Sequence, residues 1–188
     1  MDGAAGFVEG ADRLRHWPGA CFTQIAWTTN DIDRALPLLQ NWLGARDFVR
    51  VGDRLLTVMT PDGERVLRQN LAFGRAGAVS IELIEPIGDD GGFWSDGFGE
   101  TGFAMRQHHL SIAIDGDRSA WQAFRDQAAA IAPVPVQGRY ERSHFLFVDL
   151  RPALGCYLEA TWRDPDSREG RQAPPTSTST MPSTTRDA

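Results

Sequence analysis

The chain of 188 residues predicts an α+β fold, two βαβββ modules forming an eight-stranded cup with helices on the outside. Two observations carry this reading. The order strand, helix, strand, strand, strand is met twice between residues 22 and 162, and a repeated order signals duplication. The first and last strand of each half also alternate, with one apolar face and one small, polar face. The apolar faces need cover, and one helix per half can supply it.

Taken in order, FTQIAWT (22–28) alternates as a strand, and Thr29, Asn30 or Asp31 can cap a helix after it. That helix places Ile32, Ala35, Leu36, Leu39 and Leu43 at helical spacing, with Gly44 as its stop. Pro37 weakens its early half. Extended segments are expected around 46–59, 65–74 and 78–85, punctuated by Gly52, by the Pro61-Asp62-Gly63 turn and by Gly74 to Gly77. A glycine-rich stretch, 88–102, crosses to the second half. There HHLSIAID (108–115) reads as a strand and DRSAWQAFRDQAAAI (117–131) as a helix ended by Pro133. Three more strands are expected at about 134–140, 143–150 and 155–162.

One domain is expected over residues 21–163, with module one at 21–87, a linker at 88–105 and module two at 106–163. Residues 1–20 form an extension in which Leu14 and Trp17 could anchor a short helix. Residues 164–188, rich in Ser, Thr and Pro, form a tail expected to be disordered. An apolar fraction of 41% suffices for one core, and a net charge of −6 argues against a nucleic-acid partner. No run reaches the roughly 18 apolar residues of a membrane span, and the first residues lack a secretory pattern. Cys21 and Cys156 read as reduced thiols, so a cytoplasmic location is expected.

Each polar strand face carries one side chain able to ligate a metal. Gln24 lies with Ala26 and Thr28, Glu82 with Ser80 and Ile84, His109 with Ser111 and Ala113, and Glu159 with Tyr157 and Thr161. Two carboxylates, an imidazole and an amide oxygen suit Zn, Ni, Co, Mn or Fe(II) better than Cu(I). Each residue alone has an ordinary structural reading, since exposed Glu and satisfied His are common in strands. Their equivalent places in a repeated unit set them apart.

At these residues the sequence resembles the vicinal oxygen chelate superfamily, which includes glyoxalase I, methylmalonyl-CoA epimerase, extradiol dioxygenases and bleomycin-resistance proteins. The stretches that carry the resemblance are QIAWTTNDIDRAL (24–36), VSIELIEP (79–86), HHLSIAID (108–115) and GCYLEATW (155–162). The resemblance implies that Gln24, Glu82, His109 and Glu159 bind one divalent metal ion, Zn, Ni or Co ahead of Fe or Mn. Gln24 stands where many members have His, and the order Gln, Glu, His, Glu resembles eukaryotic-type glyoxalase I. His108 should point to the face opposite His109.

The implied activity is a glyoxalase-like lyase, isomerase or epimerase. It would remove and return a proton α to a carbonyl of a small oxygenated substrate, with Glu159 the first choice of base and Glu82 the second. His144, Tyr157 and Trp94 are candidate substrate contacts, and Trp94 shares the linker with Phe93, Phe98 and Phe103. Two alternatives stay open: a small-molecule sequestering protein of the bleomycin-resistance kind, or an Fe(II) dioxygenase. A homodimer is expected from the family's habit, with a small molecule as the only other partner.

Overall fold

The computed structural model describes Trp17, residues 19–99 and residues 101–165. The expectations for Leu14 and for most of the tail lie outside those residues. The described chain runs β1 (Ala20–Thr29), α1 (Ile32–Leu43), β2 (Arg46–Thr60), β3 (Gly63–Ala76), β4 (Val79–Pro86), β5 (Met105–Ile114), α2 (Arg118–Ile131), β6 (Val136–Tyr140), β7 (Ser143–Val148), α3 (Arg151–Leu154) and β8 (Tyr157–Arg163). Both βαβββ modules are therefore present; α3 is a single turn inserted before β8. No helix among the described residues is long and apolar enough to cross a membrane.

The eight strands close into a barrel in the order β1-β4-β3-β2-β6-β7-β8-β5. Each module contributes four consecutive strands. The modules meet along two seams of unequal strength. At the first, β1 pairs with β5 over most of its length, Ile25 facing Leu110 at the centre. At the second, β2 meets β6 through Val58–Gly138 and Met59–Gln137 alone. The cup is thus closed rather than open.

Both helices have local reasons to form. The Asp31 carboxylate caps α1 by accepting from the Arg34 N–H at 3.0 Å, and Gly44 ends it in the left-handed region at φ 63°. Pro37 is tolerated within α1 because Ile32, Ala35, Leu36 and Leu39 anchor the helix on Ile81 and Leu83 of β4. Asp117 caps α2 through the Ser119 and Ala120 N–H groups, and Trp121, Phe124 and Ala128 are its buried stripe. That stripe packs on Leu146, Ala160 and Trp162. Each fully buried Leu or Phe of this kind contributes about 1.5–3 kcal/mol relative to exposure.

Trp17 packs edge-on against Phe124, ring centroids 5.1 Å apart, so the chain before β1 already touches α2. At the other end Asp164 is buried and accepts from Arg118 at 2.8 Å. Asp164, in the segment expected to be a disordered tail, is thus part of the folded unit.

The alternation of the four site strands is as expected. Ile81 and Leu83 lie under α1, while Leu158, Ala160 and Trp162 lie under α2. The opposite faces look into the barrel. A third core fills part of that interior, where Phe93 and Trp94 of the linker pack with Leu71, Ile84, Phe147 and Tyr157. The linker is held by Asp90, whose carboxylate accepts from the N–H groups of Gly92, Trp94 and Ser95 and from the Ser95 hydroxyl, all within 2.7–2.9 Å.

Candidate active site

Register brings the four expected ligands together. In the parallel pair β1–β4, Ala26 lies opposite Glu82; in the parallel pair β5–β8, Ser111 lies opposite Glu159. Across the antiparallel seam, Gln24 faces Ser111 and His109 faces Ala26. Exchanging the modules converts each of these relations into the other, so Gln24 corresponds to His109 and Glu82 to Glu159. Duplication of one strand–helix–sheet unit therefore places the four side chains around one approximate axis.

The side chains meet. The Gln24 amide donates to Glu82 Oε2 at 2.7 Å. His109 Nε2 stands 3.4 Å from Glu82 Oε2 and 3.6 Å from Glu159 Oε2. The His109 side chain is 1% exposed, and the two carboxylates 13% and 15%. Burial, then repulsion from Glu82, hold the Glu159 carboxyl above its ordinary range, against the opposing pull of His109 and a hydrogen bond from Ser111.

Protons can be assigned from the hydrogen bonds. His108 Nε2 lies 3.0 Å from the Phe93 carbonyl, which can only accept, so Nε2 carries the proton. His108 is buried, and burial pulls its pKa well below 6.5, with His109 adding to the effect; the ring is neutral and its Nδ1 is an acceptor. That Nδ1 lies 3.0 Å from His109 Nδ1, which must therefore donate. His109 Nε2, the ring's other nitrogen, is a buried atom with no hydrogen-bond partner. A ring nitrogen facing two carboxylate oxygens is satisfied by a cation or a proton between them.

The donor set fits a divalent ion by its chemistry and by this orphaned nitrogen. Tetrahedral ligands at Zn–N and Zn–O bond lengths stand about 3.4 Å apart, close to the two His109–carboxylate distances. Among the described residues no group of three or more His, Cys, Asp and Glu is arranged so that it could hold a metal ion. Here the donors pair with one another, and the Gln24 amide presents nitrogen to Glu82. Ligation through oxygen requires that amide to turn over.

His108 does not point away from His109, as simple alternation predicts. Ala26 pairs with His109 but Trp27 pairs with Gln107, so His108 is the extra residue of a β-bulge, which re-aims side chains locally. Its ring lies inside, 4.7 Å from Trp94 and 4.9 Å from Tyr157.

A cavity of about 160 Å³ adjoins Glu82, His109 and Glu159. Its walls are largely aromatic and aliphatic, with Phe73, Trp94, Phe145 and Phe147 prominent, and it also takes in Arg54, Gln69 and Tyr140. Trp94 is 2% exposed and serves as a packed wall rather than a flexible lid. Phe93 packs beside it, whereas Phe103 packs near α1 with the Arg34 guanidinium 4.6 Å from its ring; Phe98 is half-buried in the linker.

Two expected substrate contacts lie elsewhere. His144 faces outward, 5.4 Å from the Trp162 ring and 6.4 Å from that of Trp121, because its neighbours Phe145 and Phe147 take the interior positions of β7. Tyr157 shares the face of Glu159 but lies past the Phe93 plug. It packs 5.2 Å from Phe93, under the Arg151 guanidinium, and borders a second cleft.

Arg54 and Gln69, both cavity-lining, escape sequence reasoning. Val51 pairs with Leu71 and Arg54 with Gln69, so three steps on β2 match two on β3. The bulge at Gly52-Asp53, with Asp53 at φ 52°, reverses the alternation and turns Arg54 inward. Gly52 is the sole trace of this in the sequence.

The chain belongs to the Glyoxalase/Bleomycin resistance protein/Dioxygenase superfamily, whose family model matches residues 23–147. Solved structures with a similar fold include methylmalonyl-CoA epimerase from Mycobacterium tuberculosis, at 17% identity and TM-score 0.48, covering 77% of this chain and 88% of that one. A hypothetical protein from Bacillus halodurans C-125 matches at 18% identity and TM-score 0.46, covering 80% and 99%. A mutant 4-hydroxymandelate synthase from Streptomyces coelicolor matches at 14% and 0.45, covering 78% and 50%. No curated protein matches significantly.

Proposed function

We propose that the chain is a metal-dependent lyase, isomerase or epimerase of the glyoxalase type, which removes and returns a proton α to a carbonyl of a small oxygenated substrate. The observation that carries this reading is His109 Nε2, buried and without a hydrogen-bond partner beside Glu82 and Glu159. Gln24, Glu82, His109 and Glu159 would hold one divalent ion, Zn, Ni or Co ahead of Fe or Mn. When bound, such an ion supplies Lewis-acid stabilisation of the charge that develops as the proton leaves.

The chain's own residues supply the rest. Glu159 takes the proton and returns it; its raised pKa lets it hold a proton that an ordinary carboxylate would release. Glu82 is the second choice of base. Trp94 and Phe147 exclude water from the carboxylates. Ser143 and Thr161, which also line the cavity, would orient a substrate hydroxyl in place of Tyr157, the candidate substrate contact from the sequence.

A second reading, sequestration of a small molecule without chemistry, draws support from the aromatic cavity and from the Gln24–Glu82 hydrogen bond, which satisfies both groups without an ion. Elemental mass spectrometry of the full chain separates the two. About one divalent ion per chain, lost in both His109→Ala and Glu82→Ala, supports the metal-dependent reading. The metal-loaded protein should then exchange the α-proton of a 2-hydroxy ketone with deuterated water, and Glu159→Gln should slow that exchange by about 10²–10⁴-fold. No ion bound after incubation with each candidate overturns the proposal and leaves a binding cup. Iron with oxygen uptake points to the dioxygenase alternative instead.

A further inference from the structure

We infer that Arg54 forms a recognition subsite for an oxyanion at the end of the substrate away from the carboxylates, that this group is a carboxylate, and that Gln69 beside it accepts a hydrogen bond from the same ligand. The inference rests on the proposed function for the orientation of the substrate, but not for the existence of the subsite. Arg54 is half-buried in the cavity wall and its Nε is buried with no hydrogen-bond partner. Among the described residues it makes no ion pair. Its cross-strand neighbour Gln69 is 4% exposed, and Gln69 Oε1 is likewise buried without a partner. Two orphaned polar atoms side by side in one cavity wall are costly to maintain, at about 1–3 kcal/mol each, unless a ligand completes them.

Position is built in by the backbone. The bulge that turns Arg54 inward is held by the Asn70 side-chain oxygen, which accepts from the Asp53 N–H at 3.0 Å, and by the ion pair between Asp53 and Arg68. Tyr140 then fixes the guanidinium, whose carbon lies 3.5 Å from the ring centroid. Stacking on an aromatic face leaves the planar edge of a guanidinium free, and that edge matches a carboxylate through two parallel hydrogen bonds.

Charge selects the ligand. Among the described residues Arg54 is the sole Arg or Lys lining this cavity, so one negative charge is balanced and a phosphate dianion is left with an excess. The far side carries Glu82 and Glu159, which repel an anion, and aliphatic and aromatic side chains lie between. The geometry describes a small monoanion with an apolar body: a carboxylate at Arg54, a hydroxyl or amide hydrogen given to Gln69 Oε1, and neutral oxygens toward His109.

The test is a calorimetric titration of the full chain, metal-free after chelation, with hexanoate and separately with inorganic phosphate. Hexanoate should bind, and Arg54→Gln should weaken it about tenfold or more, the loss expected for a charge-assisted hydrogen bond; Gln69→Leu should leave Arg54-dependent binding measurable. Thermal unfolding of Arg54→Gln within a few degrees of the parent confirms that the fold is retained. Hexanoate binding unchanged in Arg54→Gln, or none at all, overturns the subsite. Phosphate binding as tightly as hexanoate overturns its assignment to a carboxylate. Metal content is measured in parallel on undepleted protein: a chain that takes no metal yet binds hexanoate through Arg54 refutes the metal reading alone, and the converse refutes the subsite alone.

Discussion

The imidazoles of His108 and His109, neighbours in sequence on one strand, are joined Nδ1 to Nδ1 at 3.0 Å. In a regular strand they would lie on opposite faces; the bulge at His108 brings both inside. The consequence runs from backbone to chemistry. The Phe93 carbonyl fixes the proton of His108, His108 fixes that of His109, and the free Nε2 of His109 faces the carboxylates.

His108 is therefore a positioning residue for His109, and its removal should be felt at the ion. His108→Phe keeps a flat ring among Phe93, Trp94 and Tyr157 but takes away the acceptor for His109 Nδ1–H. Divalent-ion affinity, measured by competition with a chromogenic chelator, should fall about 10–100-fold, as for other partners that orient a ligating imidazole. Nitrogen-15 spectra of the histidine rings provide an independent readout: the parent should show His109 protonated at Nδ1. A variant with unchanged affinity and an unchanged His109 tautomer would contradict the relay.

The sequence made the fold legible because its four site strands are binary on both counts, apolar on one face and small or polar on the other. Parity put Gln24, Glu82, His109 and Glu159 on inward faces, and the structure brings these four side chains together. β7 offered no such contrast: SHFLFV is apolar on both faces, Phe145 and Phe147 inside and Leu146 and Val148 outside, so nothing marked His144 as outward-facing. Parity also says nothing of depth along a strand. Tyr157 has the correct face, yet two residues is roughly 6.6 Å, enough to carry it past the plug. Arg54 and His108 depend on bulges, which insert a residue without any strong sequence mark.

His144 makes the protein's stability sensitive to mild acid. Burial against the two Trp rings pulls its pKa below 6.5, with Arg139 and Arg118 adding and Asp164 opposing. The folded chain thus takes its proton at lower pH than the unfolded chain. Above about pH 6.5 neither state is protonated and stability is flat in this group. As pH falls below that, the unfolded state binds more protons and stability declines, until the folded pKa is passed. Urea unfolding of the parent between pH 7 and pH 5 should show a steeper decline than that of His144→Leu. Parallel pH profiles for the two proteins would mean that His144 is not held neutral.

Gly138 sets how tightly the second seam can close. A Cβ there would lie 2.6 Å from Phe145 Cζ and 3.1 Å from the Thr57 carbonyl oxygen, so both the interior ring and the opposing strand would have to give. Since the β2–β6 ladder has two residue pairs, with the Arg54–Tyr140 stack beside them, the backbone has little else to hold it there. Gly138→Ala should cost about 1–3 kcal/mol, the usual range for overpacking. Amide exchange should accelerate at Val58 and Met59 more than at Ile25 on the opposite seam. Equal acceleration at both would show a global loss of stability instead of an opened seam.

Asp90 holds the linker that walls the cavity. Its carboxylate accepts four hydrogen bonds from residues 92–95 and is 5% exposed. Those bonds aim Phe93 and Trp94 into the barrel, and the Phe93 carbonyl in turn fixes His108. Asp90→Ala leaves three N–H groups without that acceptor and should destabilise the fold by about 2–4 kcal/mol, less than the sum of the separate bonds because linker amides regain water. The effect should not stop at stability. With the Phe93 carbonyl released, the His109 tautomer loses its last constraint, so ion affinity should fall in Asp90→Ala as it does in His108→Phe. The double variant should then lose little more than either alone, since both changes break one chain of contacts. Additive losses in the chelator competition would separate the linker from the imidazole pair.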